Sequence, residues 1–146
     1  LVPQQPIDPI GVKEAQMRAA AKRAVLESGD WLTAAQVAQL AGFTSRNASS
    51  QPNKWKQDGR IFAIRHNGSD YYPNFALEED NAVRPLPVVG AILKVFQGHK
   101  DEWKLAYWFA SASSYLGGKR PQDLLASEPE KVIRAAEDEV VGVTHG

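Results

Sequence analysis

The chain has 146 residues and a formal net charge of zero, long enough for a sizeable core in one domain or two small ones. It contains no cysteine, which excludes disulfides and thiolate metal sites, and its nine prolines and eleven glycines are ordinary for a globular protein. The lack of cysteine favours an intracellular, cytoplasmic protein, and no apolar run approaches the roughly 20 residues of a membrane helix, so no membrane partner is expected.

Residues 1–7 hold two prolines and two glutamines and read as a loose arm. Asp8-Pro9 is an N-cap followed by a proline at the first helical position. The alanines at 15, 19, 20, 21 and 24 then carry a helix to Ser28, with Gly29 ending it. Its small side chains suit close packing, either against a second copy in a homodimer or against the rest of its own chain. Thr33 can cap a short helix with apolar positions Val37, Leu40 and Ala41, closed by Gly42. A second helix follows across a Gly-containing turn, the helix-turn-helix pattern. Pro52 is tolerated only in a first turn, which sets the start of that helix near Ser50 and Gln51 and leaves 45–49 as a separate turn. Residues 60–66 and 69–73, joined by Asn67-Gly68, read as a β-hairpin with a two-residue type I′ turn, alternating apolar on its first strand. Placed behind the second helix, the hairpin is a wing, and Pro73 assigns its second strand to an edge.

Acidic Glu78, Glu79 and Asp80 followed by two prolines mark 78–87 as a linker between modules. Beyond it the pattern is helical. Val88, Val89, Ile92, Leu93 and Phe96 form one stripe, ended by Gly98, and 102–113 is apolar almost all round, which predicts a central buried helix. Residues 115–126 combine a helix stop at Gly117-Gly118 with a restart at Pro121. Ser127 to Glu130 is a capping box ahead of Val132, Ile133, Ala136 and Val140, and the helix is expected to fray from Gly142. The expected architecture is mainly α: an arm and helix over 1–29, a winged helix-turn-helix over 30–77, the linker, and a small helical domain over 88–146.

Neither an enzyme nor a cofactor or metal site is expected. His66, His99 and His145 have no partner at metal-ligand spacing, adjacent acid pairs such as Asp138-Glu139 belong to solvated faces, and phosphate-binding glycine loops and nucleophile elbows are missing. Nucleic-acid binding has better support. Between positions 31 and 75 five bases (Arg46, Lys54, Lys56, Arg60, Arg65) face two acids (Asp58, Asp70). With Ala48, Pro52 and Trp55 turned to the core, Arg46, Ser50, Asn53, Lys54 and Lys56 are left outward, and Arg65 and Asn67 sit on the wing. Arg and Asn suit base edges, whereas Lys and Ser suit phosphates. So small an excess of positive charge calls for a dimer on two half-sites of operator DNA. Trp103, Tyr107, Trp108 and Phe109 are read as core, with one or two of them exposed for a protein partner.

Trp108-Phe109, Leu116-Gly117-Gly118-Lys119-Arg120-Pro121-Gln122-Asp123-Leu124-Leu125, and then Val132 and Ile133 resemble the toxin-binding domain of MbcA/ParS/Xre-type antitoxins over residues 87–141. The part before it is similar to the short winged helix-turn-helix of MerR-like and excisionase-like proteins. The resemblance implies a DNA-binding antitoxin of a type II toxin–antitoxin pair. Its C-terminal part would hold a cognate toxin, of the RES-domain class in many such pairs, through Trp108, Leu116, Gly117, Gly118, Lys119, Arg120, Gln122 and Leu125. Its N-terminal part would repress its own operon. The alternative is a stand-alone DNA-binding transcriptional regulator or adaptor with no toxin partner.

Overall fold

The computed structural model of the chain describes residues 8–42, 48–80 and 82–145. Asp8 caps α1 (Pro9–Leu26) as its sequence dictates, its carboxylate accepting from the Ile10 N–H at 3.1 Å. Alanine-rich and apolar on no continuous stripe, α1 buries Val25 and leaves Ile10, Val12 and Met17 in solvent. Strand β1 (Trp31–Thr33) leads directly into α2 (Ala34–Ala41). Thr33 accepts from the Gln36 N–H while the Gln36 side chain accepts from the Thr33 N–H, so two otherwise orphan donors are satisfied reciprocally. Gly42 then ends α2 in the left-handed region. The buried pair is Val37 and Ala38, whereas Leu40, expected on the inner face, is 44% exposed. Positions 34, 37, 38 and 41 make the stripe at helical spacing, and Leu40 lies off it.

After one 3₁₀ turn (Ala48–Ser50), α3 (Gln51–Gln57) opens with Pro52 in its first turn and buries Pro52 and Trp55. Strands β2 (Ile64–His66) and β3 (Ser69–Pro73) flank Asn67 and Gly68, whose φ values of 50° and 79° are those the type I′ turn requires. Two expectations change here. The run into β2 does not alternate: Ile61, Phe62 and Ala63 before it and Ile64 at its start are all buried, because core lies on both sides of them. And β3 is the central strand, in the order β1-β3-β2, not an edge. Pro73 is nonetheless accommodated, because it pairs only with Trp31; β2 has already stopped at Ile64, opposite Tyr71.

The segment expected as a linker contains a second, two-stranded ladder, β4 (Leu77–Glu78) with β5 (Arg84–Pro85), closed by an Arg84–Glu78 ion pair at 2.6 Å. The C-terminal half is helical: α4 (Pro87–Phe96), α5 (Glu102–Ala110), the short α6 (Pro121–Leu124) and α7 (Pro129–His145). α4 packs on α7 through Val88, Val89, Ile92 and Phe96 against Val132, Ala135 and Ala136, and α6 fits between α5 and α7. α7 starts with Pro129 at its first position and carries Glu130 in its first turn. Its helical span extends past Gly142 to His145.

α5 is not a central buried helix. It buries Leu105, Ala106 and Phe109 and lies half open at Trp103, Tyr107 and Trp108. Phe109 is the hub of the core, stacked on Phe62 at 5.6 Å, tilted against Phe75 at 5.3 Å and edge-on to Trp108 at 5.0 Å. Through these rings one apolar cluster runs from Val25 to Ala136, across the β4–β5 segment. Each fully buried side chain of this size contributes roughly 1.5–3 kcal/mol. The molecule is thus mainly helical with a small antiparallel sheet.

Candidate functional site

Of the residues expected to contact DNA, Arg46 lies outside the described residues. Asn53 and Lys54 are exposed on α3, Ser50 is half-buried ahead of it, and Arg65 and Asn67 are exposed on the hairpin. Helix and hairpin are tied together by Asp70. Its carboxylate accepts from Lys56 Nζ at 2.7 Å and from the Arg65 guanidinium at 3.0 Å, and Arg65 also donates to the Gly68 carbonyl at 3.0 Å. Burial pushes the Asp70 carboxyl up, but the hydrogen bonds and positive charges of Lys56 and Arg65 outweigh it and hold the pKa below the ordinary 3.8. Lys56 and Arg65 therefore share one carboxylate between them, while Lys54 is exposed at the surface. Asp70 was within reach of sequence reasoning. A two-residue turn at Asn67-Gly68 fixes Arg65 opposite Asp70, the pairing observed.

Behind the hairpin, α5 and α1 extend this face. Trp103 Nε1 donates to the Arg65 carbonyl at 3.3 Å, and Lys22 of α1 lies 5.0 Å above the Trp103 ring. Trp103 is thereby covered on one side, Trp108 packs on Phe96 at 4.8 Å, and Phe109 is fully buried. Of the large rings in the C-terminal half, the exposed one is Tyr115, at 48%, outside the set singled out from the sequence. An exposed aromatic within a 3₁₀ turn (Ser114–Leu116) carries no periodic signal, which is why it was missed.

The partner-binding set divides in two. Leu116, Gln122 and Leu125 are buried, and Trp108 is half-buried. Gln122, expected at the surface, donates from Nε2 to the Asp30 carboxylate at 3.2 Å and so links α6 to the approach to β1. Leu116 and Leu125 belong to the core because the glycine corner folds back on α7. Exposed are Gly117, Gly118, Lys119 and Arg120. Both glycines sit in the left-handed region, at φ 68° and 84°, and the Ser113 N–H donates to the Lys119 carbonyl at 3.0 Å across the corner. Arg120 is fastened to Asp123 by two bonds of 2.8 and 2.9 Å, so its guanidinium is held along α6. That leaves Lys119 and Tyr115 as the outward side chains of this corner.

Among the described residues no cluster of three or more His, Cys, Asp or Glu could hold a metal, and no helix is long and apolar enough to cross a membrane. Comparison with models of known families, with curated proteins and with solved structures returned no match.

Proposed function

We propose that the protein is a cytoplasmic, homodimeric antitoxin that binds operator DNA through a winged helix-turn-helix built from α2, α3 and the β2–β3 hairpin. A cognate toxin is held by the C-terminal helices, and neither catalysis nor a cofactor is involved. The observation that carries the DNA-binding part is the Asp70 bridge, which holds α3 and the hairpin side by side so that Asn53, Lys54, Arg65 and Asn67 are offered from adjoining elements. Support also comes from the element order: a capped helix, a second helix, and directly behind it a hairpin laid on β1. The antitoxin part rests on the resemblance over residues 87–141 and on the exposed glycine corner. The test is a gel shift of a duplex carrying the chain's own promoter, over a range of salt. Binding should weaken steeply with salt, and Lys54→Ala should weaken it further while lowering the salt slope by about one. No shift at low salt removes the DNA-binding reading.

The burial of Leu116, Gln122 and Leu125 favours a second reading, a stand-alone DNA-binding regulator with no toxin. Co-expression with the product of the neighbouring reading frame separates the two. Co-purification supports the antitoxin, and its failure leaves the regulator.

A further inference from the structure

Two clefts meet at the exposed ring of Tyr115. One, of about 450 Å³, lies between α5, the serine turn after it and α7. Its lysines, Lys100 and Lys104, share the lining with Asp138 and Glu139, and Lys100 is paired with Glu139 at 3.6 Å. The other, of about 460 Å³, lies between the glycine corner and the first turns of α7, and its charges do not cancel. Lys119, Lys131 and Arg134 line it against the single carboxylate of Glu128, which is engaged by Lys131 at 2.9 Å. The charge of Lys119 also acts on Glu128, but more weakly than that of Lys131, so one carboxylate serves two lysines and the cleft keeps a positive excess.

The walls of this second cleft are fixed. Leu116 anchors one side in the core, and the Gly118 N–H donates to the Ser113 carbonyl at 2.7 Å, next to the Ser113–Lys119 bond. Lys119 thus projects from a preformed corner, and Arg134 from a continuous helix. Binding there costs little ordering of backbone. The cleft offers a short cluster of charge, three cations against the one carboxylate of Glu128. A duplex, with one charge per roughly 1.7 Å of axis, needs a longer run of cations than this. A single carboxylate on a protein chain needs only the pair Lys119 and Arg134.

We infer that the cleft beside Tyr115 is the docking site for a carboxylate-bearing segment of a protein partner, an Asp or Glu side chain lodged between Lys119 and Arg134 with an apolar neighbour against Tyr115. The inference rests on the reading of the C-terminal helices as the partner-binding part, and it names the partner's chemistry there. The whole chain, isotopically labelled, is titrated with a short peptide of alternating Glu and Leu, with its Gln counterpart, and with a random DNA duplex, and amide shifts are followed. The Glu peptide should move the amides of 115–119 and 128–134 and the Gln peptide should not. Lys119→Ala should weaken binding about tenfold, the loss of one charge-assisted contact, and K119E/R134E, with an unchanged melting curve, should abolish it. Absence of these shifts, equal shifts with the Gln peptide, or the same amides moved by DNA would each overturn the inference. If the neighbouring frame's product co-purifies with wild type and equally with K119E/R134E, the antitoxin reading stands and the cleft assignment falls. If it fails to co-purify while the Glu peptide still binds as expected, the cleft stands and the antitoxin reading falls.

Discussion

Asp70 and Gln122 are single side chains whose partners come from other elements, and each makes a testable statement about stability. The Asp70 carboxyl titrates lower folded than unfolded, so its contribution is present above about pH 4, the ordinary aspartate range, and is lost as pH falls through the depressed folded value. Asp70→Asn should therefore cost stability at neutral pH and flatten the acid limb of the melting temperature against pH. An unchanged acid limb would show that the Lys56 and Arg65 contacts carry no linkage. The cost is expected to be small, within the roughly 0.2–1 kcal/mol of exposed pairs, because the Arg65 side chain is 63% exposed. Under the proposed DNA-binding function the same substitution should act in the opposite direction, since Lys56 and Arg65 would be released to phosphates; a gel shift reads this directly. Gln122 is different, being 8% exposed with its amide on the Asp30 carboxylate. Gln122→Leu should destabilise by roughly 1.5–3 kcal/mol, the range for a hydrogen bond to a charged group, measured by urea unfolding.

Element by element, the chain obeys its local signals where the signal is chemical and departs from them where it is periodic. Caps, stop glycines and turn residues act through hydrogen bonds and backbone angles within a few residues. Asp8, Thr33, Pro52 and Asn67-Gly68 accordingly end or begin elements where the sequence indicates. The glycine corner is a sharp case. At Gly118 a β-carbon would meet nothing within 4 Å, so any penalty for a side chain is conformational rather than steric. Gly118→Ala should cost about 1 kcal/mol or slightly more, the left-handed penalty, with no loss of packing. A chemical denaturation curve with a shifted midpoint and an unchanged slope is the expected result. Periodicity was the weaker guide. The apolar surface of α5 reads as fully buried, yet Trp103 and Tyr107 are covered only in part, Trp103 by Lys22 and the two rings by their tilted contact at 6.0 Å. Aromatic side chains count as apolar in a pattern while tolerating half-exposure through a polar tip, as the Trp103 N–H bond to Arg65 illustrates.

For the molecule as a whole, the decisive contacts are those of Phe109 with Phe62 and Phe75, because they join the sheet to the C-terminal helices in one cluster. Phe109→Ala should cost roughly 3–5 kcal/mol and destabilise both halves together. Thermal melts followed by far-ultraviolet circular dichroism and by tryptophan fluorescence should coincide in the wild-type chain; two separated transitions would show that the halves fold independently. Read locally, the acids and prolines of 78–87 describe a linker, since nothing within that segment reveals that Leu77 and Pro85 pair or that Ala76 is fully buried. The sequence by itself determined the helices, the type I′ hairpin, the absence of disulfides and the corner at Gly117-Gly118, because each depends on bonds between residues near in the chain. Tertiary structure alone decided that β3 is central, that Leu116, Gln122 and Leu125 face inward, and that Tyr115, Lys119 and Arg134 border one cleft. The reason is physical: burial and charge pairing between residues far apart in sequence depend on which surfaces the core brings together, and no local pattern records that.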